Sequence, residues 1–445
     1  MKKIYYSLFL LLFALCAVAQ NARDEIKVNP YLGGDNYTAY QEPTKALSST
    51  PEGYEVFYFS HYGRHGSRYL IGKDVYKNPV KILQAAHDAG QLTEKGEDVL
   101  KKGIAIQEDA QGRVDELTPL GAQQHRGIAR RLSERFPEIF GKDNIIDAKS
   151  STIIRCILSM ANEMTELQGR NPNLNIKMDA SAHDMYYILQ EDKELQKQRA
   201  PRGSEAANAL NAFRKSKFDP TRVMNTLFKS ENYWKENVEN PDDFIGTALW
   251  KIAQNQQSLE LRKNFSLLDI FTNDELYNIW LSRNADWYVR YGPSMLNGGT
   301  QIYVQRNLIK KIIEEAEATL PELLKDRNAH LSVPSAHMRF GHEVVVMPTA
   351  CFMNLNGAGT IYKNLDDLEK NKWYSYKIFP MASNIQIVFY RPTTPNAKEE
   401  DVLVKFLLNE EEANVPDLKA VKGPYYKWTD VKAYWEEKLS KYKEE

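Results

Sequence analysis

Two arginines flank a histidine in the segment Arg64-His65-Gly66-Ser67-Arg68. An imidazole with a free lone pair is a nucleophile and can attack phosphorus to form a phosphohistidine. Transfer of a phosphoryl group spreads negative charge over three equatorial oxygens, and planar guanidinium forks pair with such oxygens bidentately. Two further positions add to this chemistry. Arg155 falls in the first turn of a predicted helix, where the N-terminal amides already favour anions. His342-Glu343 offers a second imidazole for a phosphate oxygen and a carboxylic acid able to protonate a departing alcohol.

These groups matter only if the chain brings them together, and strand signals precede them. Val56-Phe57-Tyr58-Phe59 is wholly apolar or aromatic and reads as a buried strand running into His61-Tyr62-Gly63-Arg64-His65-Gly66. The two glycines are expected to break that strand and let the backbone turn tightly. Thr118-Pro119 reads as the N-cap and first position of a helix reaching about Phe136. Ile145-Ile146 suggests a short strand, and Ser150-Ser151 the cap of a helix from Thr152 to about Leu167. Strand signals return from Ala336 to Phe340, just before Gly341-His342-Glu343, with an apolar helix from about Val344. Ile385 to Tyr390 and Val402 to Leu408 read as strands, and Trp428 to Tyr442 as a charged amphipathic helix.

This alternation predicts an α/β fold, a three-layer sandwich around a central, mostly parallel sheet, with the chemistry at the strands' C-terminal edge. From about Gly169 to Arg327 charged helical stretches dominate, such as Glu191 to Arg199 and Asn307 to Leu324. This span reads as an inserted, mainly helical cap domain (169–327) with Trp234, Trp250, Trp280 and Trp287 in its core and contacts, splitting the α/β core into 20–168 and 328–445.

Lys2 and Lys3 precede an apolar run from Ile4 to Val18, and Ala17-Val18-Ala19 has the small-x-small form of a signal-peptidase site. The run is short for a bilayer span. Residues 1–19 are therefore expected to be a signal peptide, and the mature chain to be periplasmic or secreted, with no membrane span. Formal net charge is −1, and losing the two lysines makes it slightly more negative. No global basic field recruits nucleic acid, so positive charge for an anionic small molecule must be concentrated in a site. After cleavage only Cys156 and Cys351 remain, enough for one disulfide or for two buried free thiols.

Arg64-His65-Gly66-Ser67-Arg68, taken with Arg155 and His342, resembles the second branch of the histidine phosphatases. That branch includes acid phosphatases, phytases and multiple inositol polyphosphate phosphatases. The last group is the most similar: Ser150-Ser151 with Arg155-Cys156, Arg339-Phe340-Gly341-His342, Ala382-Ser383-Asn384 and Leu407-Leu408-Asn409-Glu410 all look like its segments. The resemblance implies a phosphoglycerate mutase-like fold with His65 as the phosphorylated nucleophile. By it Arg64, Arg68 and Arg155 clamp the phosphate, His342 completes the pocket, and no metal or organic cofactor is needed. Inositol polyphosphates such as phytate are the implied substrates, and a broad acid or sugar phosphatase is the alternative. Inositol polyphosphate phosphatases usually read His-Ala-Glu where acid phosphatases read His-Asp. This chain reads His342-Glu343-Val344, so its carboxylate falls at the Asp position with one extra methylene, and Glu343 is the candidate acid. Lys73, Lys77 and Arg202 are candidates for holding additional phosphates.

A metal hydrolase is the first competing reading, with His61, His65, His342 and Glu343 as ligands. Zinc-binding histidines four apart normally share a helix face, whereas Gly63 lies between this pair, and the arginines would repel a cation. A non-catalytic phosphate-ligand binder is the second. His125 reads as a local or core histidine and His61 as support for the nucleophile or the strand end. His87, His183, His330 and His337 suggest no role.

Overall fold

The computed structural model describes residues 21–72 and 74–442, so the expected signal peptide and Lys73 lie outside the described residues. Eight strands form one mixed sheet: β1 (Tyr54–Arg64), β2 (Ile145–Ser150), β3 (Asn175–Asp179), β4 (Pro334–Gly341), β5 (Asn384–Pro392), β6 (Leu403–Leu408), β7 (Glu411–Ala413) and β8 (Tyr425–Lys427). Their order is β3-β2-β4-β1-β5-β6-β7, with β8 also paired to β6. The first four are parallel, and the rest join antiparallel. The sheet is covered on both faces, which is why its central strands are so apolar. Along β5, Ile385, Ile387 and Phe389 enter one core while Val388 and Tyr390 enter the other.

Helices α1 (Pro119–Arg135) and α2 (Ile154–Arg170) cover one face, where Ile128, Leu132, Met160 and Met164 pack with Phe59, Ala148 and Met338. Helix α3 (Asn273–Tyr291) belongs mainly to the helical part of the chain. Helices α4 (Arg306–Lys325), α5 (Glu343–Phe352) and α6 (Trp428–Lys441) supply the opposite layer through Ile309, Ile312, Val345 and Trp435. The three-layer expectation therefore holds. A third core gathers Trp234, Trp250 and Trp280, and it draws on Ala22 to Ala110 as well as on Phe218 to Trp280.

Three local readings change. β1 continues through Gly63, and neither Gly63 nor Gly66 has positive φ, so these glycines do not break the strand. Ser150 ends β2, and the N-cap of α2 is Ile153, with no side-chain cap. β3 lies in a stretch that reads as helical, because an exposed edge strand needs no apolar alternation to declare it. Cys156 and Cys351 are buried free thiols. Among the described residues no helix is long and apolar enough to cross a membrane.

Candidate active site

Strand register assembles the site. Arg64 pairs with Gly341 across β1 and β4, and Ser150 pairs with Phe340 across β2 and β4. The residues that follow each strand leave the sheet side by side at its C-terminal edge. The His65 and His342 ring centroids are 5.6 Å apart, and Ser151 Oγ lies 3.2 Å from His342 Nε2. Gly341 makes room for this: a Cβ there would meet the Tyr62 hydroxyl at 1.9 Å. That hydroxyl accepts the His342 N–H at 3.3 Å and donates to the Ile188 carbonyl at 2.7 Å.

The loop after β1 is held by α1 and α2. A Cβ on Gly66 would lie 2.4 Å from the Gly121 carbonyl oxygen, and one on Gly121 would lie 2.2 Å from that of Ser67. Backbone meets backbone here, which only glycine permits. Gly66 N–H donates to Ser159 Oγ at 3.1 Å, and Ser67 N–H donates to Gln124 Oε1 at 2.8 Å. The Thr118 hydroxyl donates to the Ser67 carbonyl at 2.9 Å.

His65 is wholly buried, and its Nδ1 is 2.9 Å from the Gly66 carbonyl oxygen. A carbonyl only accepts, so Nδ1 carries the hydrogen and Nε2 the lone pair. Among the described residues Nε2 has no hydrogen-bond partner. Burial holds the ring's pKa well below the ordinary histidine value despite the nearby Glu343, leaving the imidazole neutral.

Three guanidinium groups lie around the cluster of His65, His342 and Glu343. Arg64 Nη1 donates to the Asn36 and Phe379 carbonyls, both at 2.8 Å, which fixes the side chain, while Nη2 has no partner. Arg68 Nη1 donates to the Tyr69 carbonyl at 3.0 Å. Arg155 Nη1 pairs with Asp115 Oδ1 at 2.7 Å, and its Nη2 donates to His342 Nδ1 at 3.3 Å. Burial and the charge of Arg155 lower His342 to about 3, so it too is neutral.

Glu343 sits among these groups. One oxygen, Oε2, is 3.0 Å from Arg64 Nε and 3.6 Å from His65 Nε2; the other, Oε1, is 3.9 Å from Arg68 Nη2. Asn36 Nδ2 donates to Oε1 at 3.3 Å. Burial pushes the Glu343 carboxyl up, but the charges of Arg64 and Arg68 outweigh it and hold the group well below the usual carboxylate range. The carboxylate engages the very donors that would hold an oxyanion.

All six residues singled out in sequence (Arg64, His65, Arg68, Arg155, His342 and Glu343) therefore converge in one buried cluster. Sequence reading missed Asn36, which bonds Glu343 and fixes Arg64, and the neighbouring Asp35 and Tyr37. Asp35 is fully buried at φ 54°, and among the described residues neither of its carboxylate oxygens has a hydrogen-bond partner. Burial raises it to about 6, with Arg283 opposing. The signal that could have exposed this segment is Gly33-Gly34, since a Cβ on Gly34 would meet Gln254 and Gln257 at 2.9 Å.

Metal-ligand geometry is partly met, because donor atoms of His65, His342 and Glu343 all lie within 4.8 Å of one another. His61 does not join them. Its ring lies tilted against Phe340, among the described residues both ring nitrogens lack hydrogen-bond partners, and burial lowers it to about 3. Arg64 beside the same carboxylate opposes a cation. His125 pairs with Glu163 at 2.7 Å, and His337 bonds Tyr58 at 2.8 Å, both in the interior. Lys77 and Arg202 are exposed and make no hydrogen bond or ion pair with the cluster.

The model of the histidine phosphatase superfamily (branch 2) matches residues 63–409. The fold is similar to that of Bifidobacterium longum multiple inositol polyphosphate phosphatase in complex with phosphate, with a TM-score of 0.74 at 17% identity over 90% of this chain and 97% of that one. It is also similar to the phytase from D. castellii, with a TM-score of 0.65 at 14% identity over 92% and 85% of the two chains. Hafnia alvei phytase in complex with tartrate follows with a TM-score of 0.51 at 10% identity over 87% and 98%. No curated protein matches the chain in sequence.

Proposed function

The chain belongs to branch 2 of the histidine phosphatase superfamily, and on that premise we propose that it hydrolyses phosphomonoesters through a phosphohistidine at His65, acting on inositol polyphosphates such as phytate. The observation that carries this reading is the state of His65: Nδ1 committed to the Gly66 carbonyl, Nε2 without a hydrogen-bond partner among the described residues, Arg64 and Arg155 acting on the ring and Arg68 on the adjoining Glu343.

His65 Nε2 attacks phosphorus while the three arginines and His342 hold the equatorial oxygens. As the ester P–O bond breaks, Glu343 gives its proton to the departing oxygen. Water then attacks the phosphohistidine, passing a proton to the Glu343 carboxylate, and the P–N bond breaks to release phosphate. No step calls for a metal or organic cofactor. The inositol polyphosphate assignment draws on the likeness in fold to the Bifidobacterium longum multiple inositol polyphosphate phosphatase and to the D. castellii phytase. The apolar leader and small-x-small site support export, with the mature chain acting outside the cytoplasm.

The wild-type mature chain is expected to release phosphate from an aryl phosphate between acidic and neutral pH, and His65→Ala to lose this activity. Acid quenching during turnover should trap phosphate on the chain. Binding of phosphate esters with no turnover would replace the enzyme with a phosphate-ligand binder. Faster release from sugar phosphates than from phytate would remove the inositol polyphosphate assignment alone.

A further inference from the structure

A second basic cleft lies in the helical part of the chain, enclosing about 180 Å³. Its walls are α3, the helix Glu205–Lys217 and the π-helical turn Phe244–Leu249. Arg214, Arg283 and Arg290 line it, together with Thr247, Asp242 and Asp286.

The arginines are not equivalent. Arg290 is committed, donating to Asp286 at 2.8 Å and to the carbonyls of Arg199 and Ala200. Arg214 and Arg283 are both partly buried, yet among the described residues neither has a hydrogen bond or an ion pair. Arg283 Nε is fully buried without a partner, and its guanidinium lies 5.3 Å from the Trp250 ring centroid. Removing a guanidinium N–H from water without a hydrogen-bond acceptor is costly, so such groups are normally bonded. Asp286 is occupied by Arg290; Asp242, and the buried Asp35 on which the charge of Arg283 acts, stand opposite Arg214 and Arg283 with no hydrogen bond to either. The π turn that supplies Thr247 is a rare conformation, found frequently at functional sites.

We propose that this cleft is a second anion site, which takes a phosphate group between Arg214 and Arg283. Two planar forks facing one cleft suit a tetrahedral oxyanion, and the room beside them suffices for a phosphate with attendant water. The phosphate is either free or carried by a substrate whose other phosphate is at His65. The second source rests on the function proposed above; the binding itself does not.

Titration calorimetry of the intact mature chain with inorganic phosphate separates these possibilities. Wild type should bind two phosphates, and the Arg214→Met/Arg283→Met double variant one. Arg214→Met alone, a milder change on a partly exposed helix, should weaken the second site by roughly tenfold. Phosphate should also shift Trp250 fluorescence in wild type and not in the double variant. A single phosphate bound by wild type, or equal stoichiometry in wild type and a folded double variant, overturns the proposal. If the site exists, kinetics identify its source. A raised KM for phytate with unchanged aryl phosphate kinetics marks a substrate phosphate, and unchanged kinetics with both marks free phosphate.

Discussion

Glu343 lies 3.0 Å from Arg64 and 3.6 Å from His65, the groups that are to hold and attack a phosphate. Without substrate it is an ionised internal anion, whereas a proton donor must arrive protonated. A bound phosphate would displace the carboxylate from Arg64 and set a like charge beside it, raising its proton affinity. The acid is then loaded by the substrate. Phosphate binding at about pH 5 to 6 should therefore take up a proton in wild type and not in Glu343→Gln, as read by calorimetry in buffers of different ionisation enthalpy. Equal uptake in both would exclude Glu343. The same variant should lose roughly 10²- to 10⁴-fold in kcat with alkyl phosphates, whose leaving groups need a proton. Aryl phosphates, whose leaving groups are better, should suffer less. Asp35 shows the opposite electrostatics. Its ordinary value of 3.8 rises to about 6 on burial, so folding takes up a proton between those values and stability falls as pH rises through that window. The rise corresponds to roughly 3 kcal/mol at neutral pH. Asp35→Asn should raise Tm at about pH 7 and change it little below pH 4; an equal change at both would show that ionisation is not the cause.

Strand ends and the helices behind them turn these residues into a site. Gly66 and Gly121 touch backbone to backbone, so the loop after β1 is seated on α1. Gly66→Ala or Gly121→Ala must push that loop away, and a displacement near 1 Å should lower kcat by roughly 10²-fold. Circular dichroism should show the fold retained, and near-wild-type turnover in either variant would refute this account of the loop. The motif and the strands before it were legible in sequence because both signals are local: an apolar run, then Arg64 to Arg68. The cause assigned to the glycines was not legible, because Gly121 is distant in sequence and close approach leaves no local pattern. Gln124 and Ser159 were hidden for the same reason, and the exposed β3 carried no apolar period to read.

At the scale of the molecule, Asn36 crosses from the first segment of the chain to Glu343 and Arg64, completing a pocket otherwise built at a sheet edge. The segment containing it also packs in the helical core through Ala22, Ile26 and Tyr37, so it ties that core to the pocket. A chain truncated to begin at Ala39 should retain a folded sheet yet lose most of its kcat/KM, because Arg64 loses one of its two carbonyl anchors and Glu343 its amide partner. Full activity in that truncation would show Asn36 to be dispensable. The same bridge has a consequence for the order of synthesis. Asn36 and Glu343 are 307 positions apart, and Arg64 and Phe379 are separated by 315. Asn36 and Arg64 must wait for Glu343 and Phe379, so a growing chain holds the segment around His65 long before its anchors are made. Long-range closure of this kind is slow. Until those distant segments meet, the pocket proposed for phosphate is incomplete.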